Sequence, residues 1–254
     1  ARSFEAMPDF GDVVDNYSFD PDVVTGTTAY QFLQMPPPEG SEEYDSQPFN
    51  LYAIDLSAQN PSWNLVNTFA NGYFTLGNNV NLVSADQSGE LYLINCPMFD
   101  WNNPPTESCI AHQSTNGGSS WAIMGDLGVP RTDDVKGTEN GFVFTYRPPA
   151  LGPQQMTVSW YHADSQSYSS TALPQGEGIY GLELDGEDLI YKVQDFQMGE
   201  PMGEFLPHPT EGNSVVKRLQ PDGTITVLVE AGSLGAPGDT ANLTVGAGYT
   251  FLNA

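Results

Sequence analysis

The sequence predicts an all-β fold, because strand patterns and tight turns alternate along most of its 254 residues. Residues 49–56 alternate cleanly between two faces, and a period of two is typical of a strand with one buried face. The chain contains 26 Gly and 20 Pro, the residues that most often form turns between strands. No segment carries the apolar stripe of an amphipathic helix. The length suits one large all-β domain, predicted over residues 1–254.

The strand patterns fall into groups spaced by about 50 residues, which is the mark of a repeated blade. Asp185-Gly186 and Asp222-Gly223 each lie between two alternating segments and predict tight hairpins within a blade. Four groups are visible, and the two ends of the chain would jointly supply a fifth. We therefore predict a β-propeller, with five blades preferred and the N- and C-termini closing one blade. The alternative is a β-sandwich or jelly roll, which uses the same short strands.

A single turn carries the most specific motif. Residues 114–121 read S-T-N-G-G-S-S-W, with Ser114, Asn116, Gly118 and Trp121 at the spacing S-x-N-x-G-x-x-W. Asn can bond the backbone ahead of it, and Gly supplies positive φ, so these residues are predicted to form a structural turn. The motif resembles the Asp-box of the sialidase-like β-propeller superfamily, with Asn in place of the usual Asp. The alternative is an ordinary Asn-Gly hairpin that matches by chance.

The resemblance to sialidases also implies a catalytic set that this sequence does not display. A sialidase uses three clustered arginines, a nucleophilic Tyr with a Glu, and an acidic residue, whereas the four arginines here are dispersed. A general glycoside hydrolase needs only two carboxylates beside the sugar. Glu183 and Asp185 share one face of a predicted strand, and Asp188 follows the turn, but solvated turn residues would look the same.

The charge of the chain excludes several partners. It has 32 Asp and Glu against 7 Lys and Arg, a formal net charge of -25. Phosphate backbones and anionic membrane surfaces would be repelled, so we predict no nucleic-acid partner. No apolar run is long enough to span a membrane, so no transmembrane segment is predicted. Basic protein surfaces, neutral glycans and cations remain as partners, and the oligomeric state is not predicted.

The two cysteines indicate an oxidising compartment, and two tripeptides match the glycosylation sequon. Cys96 and Cys109 are an even pair at short range without a CxxC motif, which predicts one local disulfide in an oxidising compartment. Two buried free thiols are the alternative. Asn16 and Asn242 begin N-x-S/T tripeptides and are glycosylation candidates. The chain begins without Met, as a mature form would. We therefore expect a secreted, periplasmic or cell-surface protein.

The first 25 residues form an acidic N-terminal arm, predicted to contribute to the closing blade. Its carboxylates could gather calcium, which prefers several oxygen ligands, although their spacing does not match an EF-hand loop. A solvated acidic arm is the alternative. The carboxylates considered in the arm are those of Asp9, Asp12, Asp15, Asp20 and Asp22. Calcium is therefore the one cofactor that the sequence leaves open.

Four residues are candidates for ligand binding. Trp101 stands in a polar loop between the cysteines, and Trp160 and His162 would share one face of a strand that leads to Asp164. Aromatic side chains of this kind stack on sugar rings or anchor protein partners. The sequence thus predicts a secreted or cell-surface non-catalytic propeller that binds a protein or glycan, as a subunit of an extracellular assembly. The alternative is a secreted glycoside hydrolase with a carboxylate pair at the propeller mouth.

Overall fold

The fold is described by a computed structural model for residues 22–34, 49–69, 79–85, 89–97, 105–147, 155–174, 177, 179–194, 214–230, 242–246 and 249–253. These residues form strands and no helix. The strands are β1 (Val23–Thr25), β2 (Thr28–Gln34), β3 (Phe49–Asp55), β4 (Asn64–Phe69), β5 (Asn79–Ser84), β6 (Leu91–Cys96), β7 (Ile110–Ser114), β8 (Ala122–Asp126), β9 (Asp134–Thr138), β10 (Gly141–Tyr146), β11 (Thr157–His162), β12 (Ser167–Ala172), β13 (Ile179–Asp185), β14 (Asp188–Gln194), β15 (Ser214–Leu219), β16 (Ile225–Val229), β17 (Asn242–Gly246) and β18 (Tyr249–Asn253).

The first sixteen strands form four antiparallel sheets of four strands each, and every sheet follows the order of the sequence. The sheets are β1–β4, β5–β8, β9–β12 and β13–β16, while β17 and β18 pair with each other. Sequential four-stranded sheets are the blades of a propeller, whereas the Greek-key connections of a sandwich would place non-consecutive strands side by side. The predicted blade pattern is therefore observed.

The chain is divided into two compact units, which are Ala1–Arg131 and Thr132–Ala254. In the first unit, a hydrophobic core lies between the faces of the first two sheets. Leu51 from β3 and Leu91 and Leu93 from β6 are fully buried there. These residues occupy the middle strands of their sheets, where alternation places every second side chain on the covered face. The core of this unit thus forms on the middle strands of its two sheets.

In the second unit, β9–β12 and β13–β16 contribute residues to one core. Its fully buried members include Val158 and Trp160 from β11 and Leu189 and Tyr191 from β14. Strand β17 contacts β13 and β14 of the neighbouring sheet. The unit therefore consists of two four-stranded sheets and one further strand pair within the described residues.

The predicted hairpins are confirmed. Gly186 has φ +64° between β13 and β14, and Gly223 has φ +89° between β15 and β16, conformations that favour glycine. The prediction that both termini close one blade concerns residues 1–21, which lie outside the described residues. The first described strand, β1, pairs with β2 in the first sheet.

Candidate functional site

The turn at residues 114–121 connects β7 to β8 through a set of local hydrogen bonds. Gly118 N–H donates to Ser114 Oγ over 2.8 Å, and Ser120 N–H donates to Asn116 Oδ1 over 3.0 Å. Ser114 Oγ in turn donates to Asn116 Oδ1 over 3.0 Å. The Trp121 indole N–H donates back to Gly118 O over 2.9 Å. Ser114, Asn116, Gly118 and Trp121 thus form one hydrogen-bonded turn.

The same turn packs against the first sheet. Gly118 has φ +88°, and a methyl group there would lie 2.3 Å from Leu51 Cδ2. Asn67 Nδ2 of β4 donates to Gly118 O over 3.2 Å, and the Trp121 ring lies 5.9 Å from the ring of Phe69. The turn therefore joins two blades of the first unit, which is a structural role.

Cys96 and Cys109 form a disulfide, as the sequence predicts. Both side chains are buried, at the end of β6 and just before β7. The Cys109 backbone is held on both sides, because Cys109 N–H donates to Val129 O and Leu127 N–H donates to Cys109 O. The disulfide therefore fixes the base of the segment that contains Trp101, a residue outside the described part of the chain.

Two of the predicted binding residues, His162 and Asp164, lie in the hairpin that connects β11 and β12. His162 Nε2 lies 2.9 Å from Ser169 Oγ across the strand pair, and the side chain is half-buried. Asp164 is exposed in the turn, beside Ser165, whose Oγ lies 2.7 Å from Ser167 Oγ. The hairpin therefore presents an imidazole, a carboxylate and serine hydroxyls together.

Trp160 shares a face of β11 with His162, as predicted, but its ring is fully buried. Its indole N–H donates to Glu187 O over 3.1 Å, and the ring packs in the core of the second unit. A buried Trp contributes packing area and one hydrogen bond instead of a stacking platform. Trp160 is therefore not part of the group of polar side chains at the end of the β11–β12 hairpin.

The carboxylates weighed for a hydrolase are engaged in ion pairs. Glu183 Oε2 lies 3.4 Å from Lys136 Nζ, and Asp185 Oδ2 lies 2.9 Å from Arg218 Nη2. Asp188 Oδ2 also approaches Arg218, at 3.7 Å from Nε. A lysine or arginine side chain therefore faces each of these three carboxylates.

A further ion pair in the same unit is less exposed than these three. Lys217 Nζ of β15 binds Glu177 Oε1, and Tyr191 lies directly opposite Lys217 across the β14–β15 pairing. Burial first, and then the negative charge of Glu177, raise the pKa of Tyr191 well above its ordinary value. Burial also raises the pKa of Asp134, an effect that the charge of Lys136 opposes.

Exposed large apolar side chains occur on the last strand of every four-stranded sheet. Leu65 of β4 is 56% exposed, Ile123 of β8 is 70% exposed and Tyr168 of β12 is 44% exposed. On β16, Val227 and Leu228 are also exposed. These four strands are edge strands, because each has a neighbour on one side only in its sheet. Exposed apolar residues on sheet edges favour association with another chain.

Comparison with known proteins shows the fold. The chain is similar to the β-propeller domain of the Trilobed protease from Pyrococcus furiosus, with a TM-score of 0.51 and 8% identity over 89% of this chain and 58% of that one. It is also similar to Pyrococcus horikoshii acylaminoacyl peptidase, with a TM-score of 0.50 and 8% identity over 84% of this chain and 32% of that one. The fold is a β-propeller. The chain spans less than two thirds of the length of either structure.

No family model matches the sequence, and no curated protein sequence matches it. Within the described residues, no helix has the length and hydropathy needed to cross a membrane. The described residues also hold no group of three or more His, Cys, Asp or Glu placed to hold a metal ion.

Asn16 and the acidic residues before Asp22 lie outside the described part of the chain. Asn242 is the first residue of β17.

The exposed edge-strand residues were not predicted from the sequence. Ile123 lies in the short segment that follows the Trp121 turn, and nothing in that segment shows which of its faces is covered. Strand pairing shows that β8 is an edge strand, and the packing of the sheets leaves Ile123 exposed. Glu187 was not predicted as a site residue either. In the structure its backbone oxygen accepts a hydrogen bond from Trp160, and its side chain accepts one from Asn140.

Proposed function

We propose that this protein is a secreted or cell-surface, non-catalytic β-propeller that binds a protein partner as a subunit of an extracellular assembly. The observation that carries the proposal is the exposed apolar side chain on the last strand of all four described four-stranded sheets. A protein partner can cover such side chains and also pair with the free backbone groups of the strand edge.

Ile123 is the strongest anchor on these edges. It is the most exposed of the large apolar residues in the described part of the chain, and Ile110 on the adjacent strand β7 is exposed as well. Burying an isoleucine side chain contributes roughly 1.5–3 kcal/mol, so a few such contacts suffice for a specific interface. We therefore place the partner's main contact on β8.

The net charge indicates the chemistry of the partner. At -25 the protein repels acidic surfaces and attracts basic ones, so a partner with an apolar centre and a basic rim fits best. The disulfide supports an oxidising compartment, where such bonds persist. Secretion or surface exposure is therefore part of the proposal.

The turn at residues 114–121 supports a relationship to Asp-box propellers. The hydrogen bonds from Gly118 to Ser114 and from Ser120 to Asn116 use the side chains that the motif specifies. We propose that this turn is a divergent Asp-box with Asn116 in the Asp position. Its function is to join blades, and it adds no catalytic group.

A neutral glycan is the second candidate ligand. The β11–β12 hairpin offers His162, Asp164 and Ser167 at its exposed end, and polar groups of these types bind sugar hydroxyls. A glycoside hydrolase is a weaker alternative, because arginine or lysine faces each of Glu183, Asp185 and Asp188. Screening neutral oligosaccharides against wild type and His162→Ala, with hydrolysis followed in parallel, distinguishes the two.

The first test is the native mass of the protein from its own source, with co-purifying chains identified. We expect a mass above the 27.5 kDa of one chain and a partner at constant stoichiometry. The partner is then mixed with wild type and with Ile123→Ser. We expect the variant to bind about tenfold more weakly or worse, because it loses a buried apolar contact.

Ala122→Ser is the matched control for this experiment. Ala122 is also exposed and is adjacent to Ile123 on β8, so it tests the effect of a new hydroxyl on the same edge. Both variants are expected to unfold within about 0.5 kcal/mol of wild type, because exposed substitutions change stability little. A monomer without any partner would contradict the assembly proposal, and equal binding by both variants would remove β8 from the interface.

A further inference from the structure

We propose that the second unit binds a calcium ion at the corner where the β9–β10 turn meets the β13–β14 turn. The side-chain ligands are the carboxylates of Glu139 and Glu187 and the hydroxyl of Thr138. We name this set the calcium corner. It is independent of the proposed protein-binding edge on β8, which belongs to the other unit.

Each of the two glutamates lies against the turn that contains the other. Asn140 N–H donates to Glu187 Oε1 over 2.7 Å, which brings the Glu187 side chain onto the β9–β10 turn. In the other direction, a methyl group on Gly186 would lie 3.2 Å from Glu139 Oε1, so the Glu139 carboxylate lies against the β13–β14 turn. Residues 139 and 187 therefore place two carboxylates at one junction.

Two oxygens at this junction are buried without a hydrogen-bond partner. They are Glu187 Oε2 and Thr138 Oγ1, and Thr138 is only 1% exposed. A buried oxygen without a partner is costly, because it has lost its water and gained nothing in exchange. Such oxygens at a pair of carboxylates indicate that a positively charged group completes the site.

The orientation of Thr138 follows from its position on β9. Lys136, two residues earlier on the same strand, reaches Glu183 of β13 with its side chain. Alternate residues of a strand share a face, so the Thr138 side chain lies on the face of β9 that is turned toward the β13–β14 hairpin. Its hydroxyl therefore faces the same hairpin as Glu187.

Calcium is the cation that this set of ligands suits. It accepts six to eight oxygen ligands in flexible geometry, from carboxylates, carbonyls, hydroxyls and water. The lysine of β9, Lys136, does not supply the positive charge at this site, because its ammonium group is bound to Glu183. With two carboxylates, the affinity should be modest, with a Kd of about 0.1–1 mM as in extracellular calcium modules.

The neighbouring indole of Trp160 supplies a direct test. Trp160 Nε1 donates to Glu187 O over 3.1 Å, so a terbium ion that replaces calcium would lie close to this ring. Excitation of tryptophan should give terbium luminescence that added calcium displaces. In parallel, calcium titration calorimetry in about 0.15 M salt, where surface charges are screened, measures the affinity for calcium itself.

Three variants identify the site. Glu187→Gln keeps an acceptor for Asn140 N–H but removes the charge, and we expect it to weaken calcium binding by about tenfold or more. Thr138→Val has nearly the same shape without the hydroxyl and should weaken binding less. Asp222→Asn is the control, because it removes one negative charge from an exposed turn and should bind like wild type.

Trp160→Phe separates the two readouts, since it should lose the terbium signal and keep the heat of calcium binding. Wild type without heat or displaceable luminescence would overturn the proposal. Equal calcium affinity of Glu187→Gln and Asp222→Asn would also overturn it, because calcium would then be attracted only by the net negative charge of the protein. If Glu187→Gln does not fold, Thr138→Val decides in the same way, and unchanged affinity in that variant contradicts the site.

Discussion

Gly118 packs directly against Leu51, so that a methyl group on Gly118 would lie 2.3 Å from Leu51 Cδ2. Leu51 is fully buried, and Gly118 also has a positive φ of +88°. We expect Gly118→Ala to lower the free energy of unfolding by roughly 2–5 kcal/mol, because backbone strain and overpacking add together. Urea unfolding of wild type and variant measures the difference.

Gly26→Ala is the matched control, because Gly26 has φ +58° and a methyl group added there would meet no atom within 4 Å. This variant should lose only the strain of the left-handed backbone, about 1 kcal/mol. If both variants lose the same stability, Leu51 must move aside without cost, and the tight contact at Gly118 would not be essential.

Asn116 should be replaceable by Asp but not by Ala. Its Oδ1 accepts hydrogen bonds from Ser114 Oγ and Ser120 N–H, and its Nδ2 donates to Ser120 Oγ over 2.8 Å. Asn116→Ala loses these bonds and should cost about 1–2 kcal/mol of unfolding free energy. Asn116→Asp keeps both acceptor roles and should remain within about 0.5 kcal/mol of wild type.

Thermal unfolding of the two Asn116 variants provides the comparison. A similar loss in both would mean that the amide donor to Ser120, and not the acceptor Oδ1, holds the turn. That outcome would also weaken the proposal that Asn116 stands in the position of an Asp-box aspartate.

The Cys96–Cys109 disulfide should stabilise the first unit. It closes a loop with a sequence separation of 13, for which restriction of the unfolded chain contributes about 3 kcal/mol. We expect the free energy of unfolding of the double variant Cys96→Ala, Cys109→Ala to be lower than that of wild type by this amount. The variant should therefore unfold at a lower urea concentration. A reducing agent should shift wild type in the same direction and leave the variant unchanged; a shift of both proteins would point to an effect other than this bond.

His112 should make stability depend on pH. Burial lowers its pKa below the ordinary value of 6.5 in the folded protein. As the pH falls below about 6.5, the unfolded chain takes up a proton that the folded chain resists, so the free energy of unfolding falls. The loss continues until the pH passes the folded pKa, and His112→Asn should lack this component.

Urea unfolding of wild type and His112→Asn between about pH 5 and 7.5 tests this linkage. The carboxylates titrate in both proteins, so the difference between the two curves isolates His112. Parallel curves would show that the His112 pKa is the same in the folded and unfolded chains.

Periodicity and turn chemistry predicted the fold because both act locally. The hairpins at Gly186 and Gly223 follow from Asp-Gly pairs between alternating segments, and strand pairing confirms them. The disulfide was also predictable, since the chain has only two cysteines. For the candidate site, sequence reasoning placed His162 near the end of a strand that leads to Asp164, but it could not show that the core covers Trp160.

The sequence by itself determined the all-β class, the blade-like groups of strands, the negative charge and the turn at residues 114–121, because each depends on neighbouring residues or on composition. Only the tertiary structure decided which faces are covered. Burial of Trp160, exposure of Ile123 and the contact of Asn140 with Glu187 all depend on segments that are distant in sequence. Strand alternation fixes two faces for each segment, and the packing of one sheet on the next determines which of them faces solvent.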